Sequence, residues 1–255
     1  MSSLYKPIIV GCAIILSSYS YAESMTTEFS ADAVVSIPQQ PIKETKLFVS
    51  KKAVRSESIV NGQNIVEIVY PDEGRAVLIN QPVKAYQERT FTVQNNKETS
   101  SNPCAQILHS ECKKLGTETI DGLKTEKWQI ISNNQGKRLR TLHWIDVKRK
   151  LALREFFPDG TVAELKMVKK EKLNGRDTEK WERSLSRPDG TTTSSFQWYD
   201  IGLGIAIKEE LPGGYIRELK NIKIASQPGK LFNIPDDFNR IDNQQGAIQP
   251  NYINR

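Results

Sequence analysis

The sequence predicts a mainly β protein: a strongly curved antiparallel sheet built from meander repeats, with short helical turns. Three observations predict it. A nine-residue block recurs at a fixed offset, the runs between turn residues alternate with period two, and no stretch of the chain reads as a long amphipathic helix.

The repeat is the strongest of these. Ile120-Asp121-Gly122-Leu123-Lys124-Thr125-Glu126-Lys127-Trp128 returns as Leu173-Asn174-Gly175-Arg176-Asp177-Thr178-Glu179-Lys180-Trp181, an offset of 53. One residue of drift later, Trp144-Ile145-Asp146 answers to Trp198-Tyr199-Asp200, and Pro158-Asp159-Gly160 to Pro212-Gly213-Gly214. Segments 120–172 and 173–225 therefore each parse as a four-strand meander. The turns carry residues that preset φ or tolerate positive φ: Pro158-Asp159-Gly160, Pro188-Asp189-Gly190 and Asn133-Asn134-Gln135-Gly136. Between them, Trp128, Ile130 and Ser132 share one face while Gln129 and Ile131 share the other. The connections are too short for crossover helices, so the pairing should be antiparallel.

Shorter strands are expected in the N-terminal half, at Lys46–Val49, Ala53–Val60, Ile65–Tyr70, Arg75–Ile79 and Val83–Gln87. Asn61-Gly62 and Pro71-Asp72-Glu73-Gly74 separate them as turns. Residues 91–102 are polar and break the pattern, and the Gln/Asn-rich end lacks apolar periodicity. The expected organisation is a signal peptide (1–22), a single β-rich domain (23–240) and a flexible tail (241–255).

The leader reading rests on Lys6, the apolar run from Ile8 to Leu16 and the polar stretch ending Ser20-Tyr21-Ala22, which is the order of a secretory signal cleaved after Ala22. The run is shorter than the ~20 residues a bilayer span needs. Ile9-Val10-Gly11-Cys12 also has the form of a lipoprotein cleavage site with Cys12 lipidated, and this alternative stays open. Cleavage after Ala22 would leave 35 Lys+Arg and 30 Asp+Glu, a net of +5 with the signs interleaved. That mixture reads as a solvated surface: no nucleic-acid partner is expected, and contact with a membrane is peripheral at most. Two cysteines would remain, Cys104 and Cys112, which an oxidising compartment should bridge. Asn102-Pro103 reads as the start of one or two helical turns running through Leu108. With only His109 and His143 in the chain, a metal site is poorly supported and no cofactor is expected.

Several segments carry a family likeness. Lys46-Leu47-Phe48-Val49, then Arg55-Ser56-Glu57, then Ile68 to Ile79 with Tyr86 following, resembles the opening sheet of LolA-like periplasmic proteins, the outer-membrane lipoprotein-sorting-like family. It is most similar to the branch known by domain-of-unknown-function names. Lys230 to Phe238, with Phe-x-x-Pro and a following aromatic, is similar to that family's closing strand. The resemblance implies an unclosed half-barrel around an apolar concavity that receives acyl chains. This chain departs from the carriers in having no clear amphipathic helix after the leader and in inserting a cysteine-bearing segment between Tyr86 and Ile120.

The expected function is that of an exported periplasmic protein binding a lipid, acyl chain or other apolar ligand in a concave groove, as carrier or sensor. The alternative is an envelope structural or protein-interaction module without a small-molecule ligand. No enzyme is expected, since no nucleophile elbow, phosphate loop, HExxH or triad signature is present. The candidate groove residues are Arg55, Trp128, Trp144, Trp181 and Trp198. Each has a second reading: the tryptophans as core filling, Arg55 as an ion pair with Glu57. Asp146 and Asp200, at equivalent strand ends, read as turn caps or, more sharply, as a carboxylate pair.

Overall fold

A computed structural model of the chain describes residues 27–91, 103, 110–134 and 137–241. The leader, the helical turn expected through Leu108 and Cys104 lie outside the described residues. In chain order the strands are β1 (Phe29–Ser36), β2 (Lys43–Val49), β3 (Val54–Val60), β4 (Gln63–Tyr70), β5 (Arg75–Asn80), β6 (Ala85–Thr90), β7 (Ser110–Ile120) and β8 (Leu123–Asn134). They continue as β9 (Lys137–Asp146), β10 (Ala152–Phe156), β11 (Val162–Leu173), β12 (Arg176–Ser186), β13 (Thr192–Asp200), β14 (Ile205–Leu211), β15 (Tyr215–Ile224) and β16 (Asn239–Arg240). All sixteen form one sheet, ordered β16-β6-β5-β4-β3-β2-β1-β15-β14-β13-β12-β11-β10-β9-β8-β7. The sheet does not close into a barrel.

Sequence reading passed over β1, and this strand joins the halves. Phe29 pairs with Val49 on one side and with Ile224 on the other, so the N-terminal strands and the repeat region share one hydrogen-bonded ladder. One pairing is parallel: β16 lies along β6 through Asn239↔Ala85 and Arg240↔Tyr86. The segment that resembles a closing strand, Lys230 to Phe238, precedes β16 and is not itself a strand: it runs through a 3-10 turn (Gly229–Phe232) and irregular chain. Pro228 and Pro235 supply no N–H to a ladder, which explains why a strand does not form there.

Chain length favours curvature. Fourteen strand spacings separate β6 from β7, about 67 Å in a flat sheet at ~4.8 Å each. Twenty residue steps link Thr90 to Ser110, and at ~3.3–3.6 Å per step they reach that far only when fully extended. Bending the sheet brings the two ends within ordinary reach.

The repeat imposes part of that bend. β-bulges fall between Lys114 and Gly116 on β7 and between Met167 and Lys169 on β11, 53 residues apart. In each copy a threonine hydroxyl donates to a backbone carbonyl beyond the bulge, Thr125 to Glu118 and Thr178 to Glu171, both at 2.8 Å. The same two glutamates accept from indole N–H groups, Trp144 to Glu118 at 2.7 Å and Trp198 to Glu171 at 2.8 Å. Such bulges bend a strand and increase its twist.

Three apolar clusters hold the sheet. Leu153, Leu165, Trp181 and Tyr199 form one, with Ile120, Leu123 and Leu151 from the hairpin ends packed on it. Phe29, Leu47, Val49, Ile207 and Leu219 form the second, with Leu173 and Leu203 from the next pair of ends. Loops at one rim, here called lower, thus fold over the same sheet face, which we call inner. On the outer face of β2–β6 the C-terminal segment packs Leu231, Phe232, Ile234 and Phe238 against Ile68, Val77, Ile79 and Tyr86.

Candidate functional site

The register divides the candidate groove residues between the two faces. Trp128 pairs with His143, and Trp181 with Gln197, on the inner face. Trp144 pairs with Lys127 and Arg154, and Trp198 with Lys180 and Lys208, on the outer face. There the Trp198 ring sits 4.5 Å from the Nζ atoms of both Lys180 and Lys208, and the Trp144 ring 4.6 Å from Lys127 Nζ. Ammonium groups at these distances are attracted by the ring faces while their stems cover the indoles. All four tryptophans are buried. Arg55 is buried on the outer face, its Nε donating to Glu57 and its Nη1 to Leu231 O, each at 2.7 Å. The five residues are therefore not gathered in one groove, and Arg55 together with the Tyr70 hydroxyl, which donates to Phe232 O, ties down the C-terminal segment.

Asp146 and Asp200 each close their own loop. Asp146 Oδ1 accepts from the backbone N–H of Lys148 and Arg149, and Asp200 Oδ1 from those of Gly202 and Leu203. Each pairs with its own arginine, Arg149 and Arg176 respectively. No group of three or more His, Cys, Asp or Glu among the described residues is placed to hold a metal ion.

A hollow does occur on the inner face, at the upper rim. It has a volume of about 430 Å³ and is lined by Leu139, Phe157, Pro158, Leu185 and Arg187, with Asp159 and Thr161. Two like turns build its edge. In one, Gly160 N–H donates to Phe157 O and Thr161 N–H to Asp159 Oδ1; in the other, Gly190 donates to Arg187 O and Thr191 to Asp189 Oδ1. The turns approach closely: a Cβ on Gly160, whose φ is +83°, would stand 3.0 Å from Pro188 Cγ. Only glycine meets both conditions without strain.

Below the hollow lies a polar shelf. His143 Nδ1 is 3.3 Å from Glu155 Oε1, His143 Nε2 is 2.9 Å from Thr141 Oγ1, and Arg183 Nη2 donates to Glu155 Oε2 at 2.8 Å. Burial pushes the Glu155 carboxyl up, but its bonds to His143 and Arg183 outweigh this and hold it below the usual value. The Thr-His-Glu connectivity resembles a catalytic triad, yet both Thr141 and His143 sit mid-strand on β9, opposite Ile130 and Trp128 of β8. The shelf is a satisfied ionic layer under an apolar mouth.

Sequence reading placed Pro158 and Asp159 in a turn but did not single out Leu139, Phe157, Thr161, Leu185 or Arg187, nor the pairing of Glu155 with His143 and Arg183. The available signal was the duplicated Pro-Asp-Gly turn, since Phe157 and Arg187 each immediately precede one.

Cys112 lies on β7 opposite Ile130. For the expected bridge to Cys104, thiol titration of denatured, unreduced protein should find no free thiol, and reduction should cost about 2 kcal/mol of stability. Two free thiols would remove the bridge.

No protein-family model matches the chain, and no curated protein matches it. Solved structures similar to it include a LolA superfamily protein from Nitrosomonas europaea, 11% identical, covering 88% of this chain and 98% of that one at a TM-score of 0.36. A DUF1329 family protein from Desulfovibrio piger is 13% identical over 84% and 91%, with a TM-score of 0.30. A domain from Vibrio parahaemolyticus described as outer membrane lipoprotein-sorting is 10% identical over 81% and 89%, with a TM-score of 0.35. Two of these three are described by LolA or lipoprotein-sorting names and the third as a DUF1329 family protein. Likeness this loose carries no argument about function.

Proposed function

We propose that the chain is an exported envelope protein that holds an apolar ligand, an acyl chain or lipid, as a carrier or sensor and without catalysis. The observation that carries this reading is the upper-rim hollow: Leu139, Phe157, Pro158 and Leu185 form apolar walls, and Arg187 stands at the edge. Its volume falls in the range of about 300–1,000 Å³ typical of small-molecule sites. The ionic shelf of Glu155, His143 and Arg183 lies further along the same strands and outside its lining, so an acyl chain would lie along the walls with an anionic head toward Arg187. Export rests on the leader, with its apolar run and the Ala22 cleavage site.

Binding by area burial contributes about 25 cal/mol per Å² of apolar surface before the costs of association. Affinity should therefore strengthen with acyl length and depend little on salt. Displacement of a fluorescent long-chain fatty acid reads this directly, and Leu185→Asp should weaken it about tenfold, since a carboxylate in the wall opposes burial of the chain. An unchanged melting temperature confirms that the variant folds. If neither fatty acid nor phospholipid displaces the probe, or Leu185→Asp binds as the parent does, the ligand reading fails and an envelope interaction module takes its place.

A further inference from the structure

We propose that the lower rim of the sheet docks onto an anionic lipid bilayer. This surface is at the opposite end from the hollow and does not depend on what the hollow holds.

The part of the rim that docks is its repeat half: the bulges and hairpin ends at 114–124 and 167–177, the loops 146–151 and 200–204, and the end of β15 at 220–226. Exposed aliphatic residues stand there at equivalent places of the two repeat copies. Leu115 and Val168, 53 residues apart, are the residues skipped by the ladder at the two bulges, and they are 42% and 50% exposed. Val147 and Ile201, 54 apart, each follow a loop-capping aspartate and are 37% and 51% exposed. A single exposed aliphatic residue is ordinary. The same exposure at two pairs of equivalent positions means that the local geometry, bulge or Asp-capped loop, directs these side chains to solvent in both copies. Val147 and Ile201 close β9 and β13, four strands apart, about 19 Å along the sheet.

Charge accompanies them. The five rim segments carry eleven Lys or Arg against six Asp or Glu, an excess of five in a chain whose net charge is +6. Lys124, Lys148 and Lys223 are exposed and form no salt bridge among the described residues. Exposed aliphatic residues also stand on the upper rim, at Ile42, Ile59 and Val83. Segments 37–44, 59–62 and 81–84 around them hold only two Lys and one Glu, and Lys84 is paired with Asp237. The combination of apolar contacts with a surrounding basic excess therefore separates the lower rim from these three upper-rim segments. It is the combination that retains a protein at a lipid interface, where short apolar insertions and attraction to acidic headgroups act together.

The test is flotation of the purified protein, with the apolar leader (1–22) removed so that it cannot itself insert, alongside phospholipid vesicles. Binding is expected to vesicles about one-third phosphatidylglycerol. It should fall severalfold on pure phosphatidylcholine, and also as salt rises from 0.1 to 1 M and the Debye length shrinks from about 10 Å to 3 Å. A Val147→Asp/Ile201→Asp variant, and separately a Lys148→Glu/Lys223→Glu variant, should each lose at least about fivefold in bound fraction with an unchanged melting temperature. Ile59→Asp on the upper rim should bind as the parent does. The proposal is overturned by an absence of binding to the anionic vesicles at low salt, or by an equal loss in Ile59→Asp. Retention in the Val147/Ile201 variant would also overturn it, because the rim would then be a general polyanion surface, as equal binding to a single-stranded oligonucleotide would show.

Discussion

Arg149→Ala should lower the stability of the fold by about 3 to 5 kcal/mol, the cost of leaving a buried charge without its partner. Arg149 reaches from the β9–β10 loop of one repeat copy to Glu179 on β12 of the next. It donates through Nε at 2.7 Å and Nη2 at 2.8 Å to a carboxylate only 2% exposed. The first copy provides an internal control. Glu126, equivalent to Glu179, is paired with Lys114, which is 44% exposed, so Lys114→Ala should cost no more than about 1 kcal/mol. Urea denaturation reads both. An Arg149→Met/Glu179→Leu double variant should recover most of the loss, because the cost lies in the orphaned charge and not in the lost contact. A loss under about 1 kcal/mol for Arg149→Ala would mean that water solvates Glu179.

The same pair sets a pH dependence. The Arg149 hydrogen bonds hold the Glu179 carboxyl below its ordinary value of 4.5, against burial, which acts in the opposite sense. A group whose folded-state pKa is depressed contributes stability that is present above the unfolded value and is lost as pH falls through the folded one. The Glu179 contribution is thus full above about pH 4.5 and disappears below it. Glu209 behaves oppositely: burial pushes its carboxyl above 4.5 despite the attraction of Arg217. Its ionised form costs stability at neutral pH, and that cost is relieved as pH falls through its folded-state value. In Glu179→Gln the decline in stability below pH 4.5 should be shallower than in the parent, and an unchanged slope would show that other carboxylates dominate acid unfolding.

Trp181→Ala should cost about 3 to 5 kcal/mol, the range for removing a large aromatic side chain from a core. Trp181 is 1% exposed and sits with Leu153, Leu165 and Tyr199 where three hairpin-end residues, Ile120, Leu123 and Leu151, close over it. Its equivalent Trp128 is 8% exposed on β8, one strand from the edge strand β7. The same substitution there should cost less, because the site can relax toward the edge. Thermal unfolding should show a drop of roughly 10 °C for Trp181→Ala, at ~2–4 °C per kcal/mol for a domain of this size. The Arg149 guanidinium lies 5.6 Å from the Trp181 ring centre, so the Arg149 and Trp181 effects should not add. Equal losses at Trp128 and Trp181 would remove the distinction between edge and centre.

How much of this was legible beforehand varies with the range of the interaction. The turns were visible because glycine, asparagine and Pro-Asp-Gly act within three or four residues. Gly122 and Gly175 adopt φ values of +77° and +79° in the two hairpins that the repeat marks. The alternation at Trp128, Ile130 and Ser132 was equally local, and Trp128 and Ile130 are buried on one side of β8. Strand β1 was passed over because its reason to form is distant: its partners are β2 and, nearly two hundred residues later, β15. The hollow was missed for a similar reason. Leu139, Phe157 and Leu185 come from three separate strands or turns, and no spacing in the sequence relates them.

By itself, then, the sequence determined the strand-and-turn content, the antiparallel meander of the repeat and the equivalence of its two copies, all consequences of period-two patterning and turn chemistry acting within each hairpin. Tertiary structure alone decided which face each tryptophan occupies relative to Arg55, that Arg149 would meet Glu179 across the copies, and where the sheet leaves an apolar hollow. A bulge or a long-range pairing shifts side chains between faces without changing the local pattern, so these outcomes depend on how the whole ladder registers and bends.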